Sequence, residues 1–159
     1  MFSFRPVATK TLVFIQNRLF VSRVMTEDVR VVEISIPNEL GYEKIARAVV
    51  ADAARKMGFS SERIEDLKTA VAEACTNAIE YGNSFDAEAQ VLVVLSSDRN
   101  SISVRVVDDG RHPIPTPLPD TLAKNDRQCL GLYLMQNLMD DVKINCQPGR
   151  NEILLTSYL

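Results

Sequence analysis

The chain has 159 residues, 46% hydrophobic and 25% charged, with a net charge of −3; that is one globular domain, clear of the composition of disorder. So mild an acidic balance argues against a general nucleic-acid binder, which carries a basic excess. No apolar run reaches the roughly 20 residues of a membrane-spanning helix.

The charge is unevenly spread. Residues 1–24 hold Arg5, Lys10, Arg18 and Arg23 and no acid, while the rest of the chain holds 14 basic and 21 acidic residues. This basic head reads as a signal peptide, a transit peptide or an N-terminal extension. The extension fits best, with the domain starting at Met25: the short apolar run 11–15 is broken at once by Gln16, Asn17 and Arg18. Three cysteines (Cys75, Cys129, Cys146) are widely spaced without a Cys-x-x-Cys pair, and His112 is the only histidine. Neither a zinc site nor a disulfide framework follows, and reduced cysteines in the cytoplasm are the expectation.

Patterned sequence begins after Met25. Residues 29–36 alternate, with Val32, Ile34 and Ile36 on one side, and predict a strand. Residues 39–57 carry apolar positions at Tyr42, Ile45, Val49, Ala53 and Met57, a helical spacing that Gly58 would cap. Ser60 or Ser61 would cap a second helix running to Tyr81, with the stripe Ile64, Leu67, Val71, Ala74 and Ala78. Residues 90–95 and 101–107 read as a hairpin. Residues 109–129, with prolines at 113, 115, 117 and 119, form a long loop of the kind that serves as a lid or binding segment. A short helix over 131–140 and a hairpin of 142–146 with 152–158 complete the chain. The order predicts an α+β, two-layer sandwich: a mixed, mostly antiparallel sheet with helices on one face.

Three places could carry chemistry. Glu73 and Asn77 lie one turn apart at the edge of the second helix's apolar stripe. There the carboxylate could act as a general base, and the amide oxygen could be a neutral ligand for a hard cation such as Mg²⁺. Asp108 ends an apolar strand ahead of Asp109 and Gly110, where a carboxylate needs donors and the exocyclic amine of an amino-purine would supply one. Leu130, Gly131 and Leu132 open the third helix after the loop, where free backbone N–H groups would cradle phosphate. Each also has an ordinary reading: a surface pair, an Asp-Gly turn, a helix start.

Together they resemble a known family. Glu73-Ala-Cys-Thr-Asn77-Ala-Ile-Glu-Tyr-Gly82 is similar to the N box of the GHKL (histidine-kinase-like) ATPases. Val107-Asp108-Asp109-Gly110 resembles their first glycine box, and Leu130-Gly131-Leu132-Tyr133-Leu134-Met135 the second. Chain size, the helix ending at Val142 and the closing segment are most similar to the anti-sigma factor serine/threonine kinases, over about residues 29–159.

The resemblance implies a Bergerat-type ATP-binding sandwich over residues 25–159, with 1–24 as an extension outside it. It implies Glu73 as the catalytic base and Asn77 as the Mg²⁺ ligand. Asp108 would bind the adenine amine and Gly110 would let the nucleotide approach. Leu130, Gly131 and Leu132 would lie at the phosphates, and residues 111–129 would form the ATP lid. The implied cofactors are ATP and Mg²⁺. The implied partners are a STAS-type anti-sigma factor antagonist, which is phosphorylated, a sigma factor, and a second copy in a homodimer. No nucleic acid or membrane is expected, and the location is the cytoplasm. His112 stands where the first box has a further glycine, and Cys129 where the second has its first. Those departures keep open a partner-switching module that binds ATP with little or no kinase activity.

Overall fold

The computed structural model describes residues 29–116 and 126–159. The basic head 1–24 and most of the expected lid, 117–125, lie outside the described residues. Five strands, β1 Arg30–Pro37, β2 Gln90–Ser97, β3 Ser101–Asp108, β4 Asp141–Gln147 and β5 Arg150–Tyr158, form one sheet in the order β1-β2-β3-β5-β4. Every pairing in it is antiparallel, so the expected mixed sheet contains no parallel pair among the described residues. Short hairpins connect the last four strands in two pairs, and such links join only antiparallel neighbours.

Among the described residues three helices cover one face: α1 Glu43–Met57, α2 Ser61–Asn77 and α3 Arg127–Leu138. Alternate strand residues (Val91, Val93, Leu95, Ile102, Val104, Val106, Ile153, Leu155) join helix side chains in a single buried core. The side chains between them, such as Ser103, Arg105 and Thr156, are exposed or half-buried.

The helix ends follow from local chemistry. Gly58 takes φ +92° at the C-cap of α1, a conformation glycine adopts without strain. The Ser60 hydroxyl accepts the Arg63 N–H at 3.2 Å and caps α2. The α2 stripe is buried as its periodicity predicts, including Ile64, Leu67, Val71 and Ala74. The α1 stripe is not: Ala46, Val50, Ala51 and Ala54 form its buried face, while Tyr42 and Ile45 are exposed. Alanine is small enough to bring α1 close to its neighbours, and a count of bulky residues overlooks it.

The largest departure follows Asn77. The second helix widens into a π-helical turn, Ala78–Gly82, in which the Asn83 N–H reaches the Ala78 carbonyl at 2.7 Å. Ser84 and Phe85 then take φ of +51° and +56°, so the chain leaves the helix sharply towards β2. Such π-turns concentrate at functional sites.

Candidate nucleotide site

Glu73 and Asn77 project from α2 towards α3. Asn77 is 5% exposed, and a Cβ built on Gly131 of α3 would stand 2.8 Å from Glu73 Oε2 and 3.3 Å from Asn77 Nδ2. Gly131 therefore meets both side chains where any larger residue would displace them. Glu73 Oε2 and Asn77 Nδ2 are buried without a hydrogen-bond partner. Buried polar atoms are rarely left so, and two on one wall mark a place built for a polar ligand. The other oxygen, Glu73 Oε1, faces Arg127 Nη2 at 3.5 Å.

These features also test the implied cation. Among the described residues no group of three His, Cys, Asp or Glu side chains is placed to hold a metal ion. A Mg²⁺ here would rest on the Asn77 amide, nucleotide phosphates and water, the sparse protein ligation this ion accepts. The residues fit it.

Asp108 closes the other end. With a side-chain period of two along β3, it shares the helix-facing side with Val104 and Val106. Its register partner on β5 is Asn151, 1% exposed. The Gly110 N–H donates to Asp108 Oδ1 at 2.8 Å. Burial pushes the Asp108 carboxyl up to about 6, against hydrogen bonds from Gly110 and Asn151 that pull it down.

Gly82, at the end of the π-turn, lies flat on this carboxyl: a Cβ there would stand 2.0 Å from its carbon. Beside it, Asn83 is fully buried and accepts the Asp109 N–H at 2.7 Å. The Arg111 N–H donates to the Gly82 carbonyl at 2.8 Å, and the Arg111 guanidinium pairs with Asp86. Gly110 has φ +62°, and its missing Cβ would collide with the Arg150 backbone at 2.5 Å. Its glycine is thus required by the turn between β4 and β5, whatever else approaches it.

The start of the expected lid is well anchored. His112 is exposed, and its carbonyl accepts Asn151 Nδ2 at 2.7 Å. Ile114 is buried.

The far end differs from expectation. Helix α3 begins at Arg127, four residues before the expected start at Gly131, because Asp126 caps it by accepting the Gln128 and Cys129 N–H groups. Gly131 thus lies inside the helix and presents no free N–H. What it offers is absent bulk, while Leu132 is buried in the core and Leu130 is half-buried. Cys129 donates its thiol to Asp126 Oδ2 at 3.2 Å, and that bond raises the thiol pKa. Cys75 is core packing, its thiol pushed by burial up to about 12.

The structure brings Glu73, Asn77 and Gly131 together at one end and Asp108 and Gly110 at the other. Sequence reasoning missed Gly82, Asn83, Arg127 and Asn151. Of these, only Gly82 stood in a motif, as the last residue of the segment similar to the N box, and no role was read from it.

Residues 36–157 match the family model described as a histidine kinase-like ATPase domain. The serine-protein kinase RsbW of Bacillus velezensis is 33% identical over 147 residues, covering 85% of this chain and 89% of that protein. The serine-protein kinase RsbW of Bacillus thuringiensis is 31% identical over 144 residues, with 85% and 89% covered. The crystal structure of the RsbU and RsbW domains of a Mycobacterium tuberculosis protein matches with a TM-score of 0.61 at 18% identity. It covers 80% of this chain and 31% of that one, a likeness of fold.

Proposed function

The chain belongs to the histidine kinase-like ATPase family, among its serine-protein kinases, and on that premise we propose that it phosphorylates a STAS-type anti-sigma factor antagonist and sequesters a sigma factor. Glu73 takes the proton from a seryl or threonyl hydroxyl of the antagonist. The hydroxyl oxygen attacks the γ-phosphorus of ATP, and ADP leaves with the bridging electron pair. Asp108 accepts the adenine amine. Asn77 holds Mg²⁺, which when bound supplies charge neutralisation at the phosphates. Gly131 and the half-buried Leu130 wall the phosphate end, Leu132 anchors that turn of α3 in the core, and Gly110 shapes the turn at the purine end. Phosphoryl transfer needs mainly positioning and a base, and these residues supply both. The protein works in the cytoplasm with its partners, as a homodimer.

The observation that carries this reading is the convergence of Glu73 Oε2 and Asn77 on the missing side chain of Gly131. Incubation with labelled ATP, Mg²⁺ and STAS proteins of the same organism tests it. Glu73→Ala should lower transfer by about 10²–10⁴-fold while ATP still binds. Transfer by the variant equal to that of the unaltered protein would refute the role.

A second reading, a partner-switching module with little kinase activity, is favoured by the Cys129 thiol bonded to Asp126 at the lid's end. In that case Cys129→Gly should raise transfer above that of the natural chain.

A further inference from the structure

We propose that Asn83 is a positioning residue for nucleotide selection: its buried amide sets the Asp108–Gly110 turn so that the Asp108 carboxylate meets the exocyclic amine of an amino-purine. This rests on the reading of Asp108 as purine acceptor and adds to it the device that aims the carboxylate.

Strand β3 ends at Asp108, so the next N–H, that of Asp109, has no ladder partner. Asn83 Oδ1 takes it at 2.7 Å. That N–H belongs to the peptide that follows Asp108, so fixing it fixes the backbone that carries the carboxylate. The donor side of the same amide is also committed. Asn83 Nδ2 donates to Asn38 Oδ1 at 3.0 Å and to the Gln90 carbonyl at 3.1 Å. Asn38, 5% exposed, in turn donates to the Asp86 carbonyl at 3.0 Å.

One dry amide therefore ties the exits of β1 and β3 to the entry of β2. A fully satisfied buried network of this kind is rigid and directional. Only asparagine or glutamine offers both an acceptor and two donors, and glutamine is one methylene too long for a fully buried site.

Gly82, the preceding residue, supplies the second constraint. Its α-carbon packs on the Asp108 carboxyl so closely that a Cβ would overlap it at 2.0 Å. Asn83 thus holds the backbone under Asp108 while Gly82 limits the side chain from above.

The test is calorimetric titration of the full chain with Mg–ATP and with purine riboside triphosphate, which lacks the exocyclic amine. The unaltered protein should prefer ATP by about tenfold, one hydrogen bond's worth. Asn83→Ala should bring that preference close to unity while binding of the deaminated analogue changes little. Asp108→Asn should do the same.

A preference unchanged in Asn83→Ala, with both affinities falling together, would overturn the proposal and leave Asn83 a structural residue. No preference in the unaltered protein would overturn the purine reading of Asp108, and the proposal with it. A preference lost in Asp108→Asn alone would leave the purine reading standing and sink only the role of Asn83. Should Asn83→Ala fail to fold, Asn38→Ala decides. It removes one support of the amide but leaves the Asp109 bond, and should lower the preference about threefold, with faster amide exchange at Asp109. An unchanged preference in that variant overturns the proposal.

Discussion

Asp108 carries two opposed demands. Its carboxyl is raised to about 6, above an ordinary aspartate in the unfolded chain, so the fold binds its proton more tightly than the unfolded chain does. That contribution stabilises the nucleotide-free protein at pH 4 and is lost as pH rises through about 6. In the proposed role the ionised carboxyl is the stronger acceptor for the adenine amine, so ATP affinity should rise over the same interval. Asp108→Asn should accordingly stabilise the nucleotide-free protein at pH 7.5 by about 1–3 kcal/mol while weakening ATP binding. Melting curves and titrations at pH 5 and pH 7.5 measure both signs. At the opposite end, Gly131→Ala places a methyl 2.8 Å from Glu73 Oε2. It should lower phosphoryl transfer at least tenfold, with a shift in melting temperature of only a few degrees.

The elements themselves were largely legible from sequence. Alternation located the strands to within about two residues, and Gly58 and Ser60 marked the junction of the first two helices, because period and caps are local signals. Glu73 and Asn77 were placed correctly at the edge of a stripe for the same reason. What escaped was either a local signal passed over or a contact between distant segments. The α3 start moved to Arg127 because Asp126 accepts two N–H groups. The buried face of α1 rests on alanines that a search for bulky side chains passes over. Asn151 faces Asp108 only through the pairing of β3 with β5. Arg63 also belongs to this class. From the first turn of α2 it donates to the Leu138 carbonyl at 3.1 Å, and it reaches Asp140 and Ser157. It joins the end of α3 to the last strand. Arg63→Ala should destabilise the protein by about 2–3 kcal/mol, read as a lower denaturant midpoint with α3 amides exchanging first.

At the scale of the molecule, the acidic balance of the chain after residue 24 coincides with the part matched by the family model, 36–157. The basic head lies before it. A protein beginning at Met25 should therefore bind Mg–ATP with the affinity of the full chain, as titration of the two would show. A tenfold loss would place the start of the working domain earlier. The two ends of the site are held differently within the same fold. The end at Asp108 is built from strand ends held by the buried amide of Asn83. The end at Glu73 and Asn77 is shared between α2 and α3, where Gly131 meets both side chains.

The π-helical turn at Ala78–Gly82 has a consequence for how this pocket can be altered. A helix advances about 100° per residue, so one residue more or fewer between Asn77 and Asn83 rotates everything after it. Gly82 would swing away from the Asp108 carboxyl, and Asn83 away from the Asp109 N–H. Side-chain exchange within the turn leaves that phase intact. The pocket is thus written in residue count as much as in residue identity. Substitution can adjust its fit, whereas a single deletion there should displace Gly82 and Asn83 while leaving Glu73 and Asn77 in place.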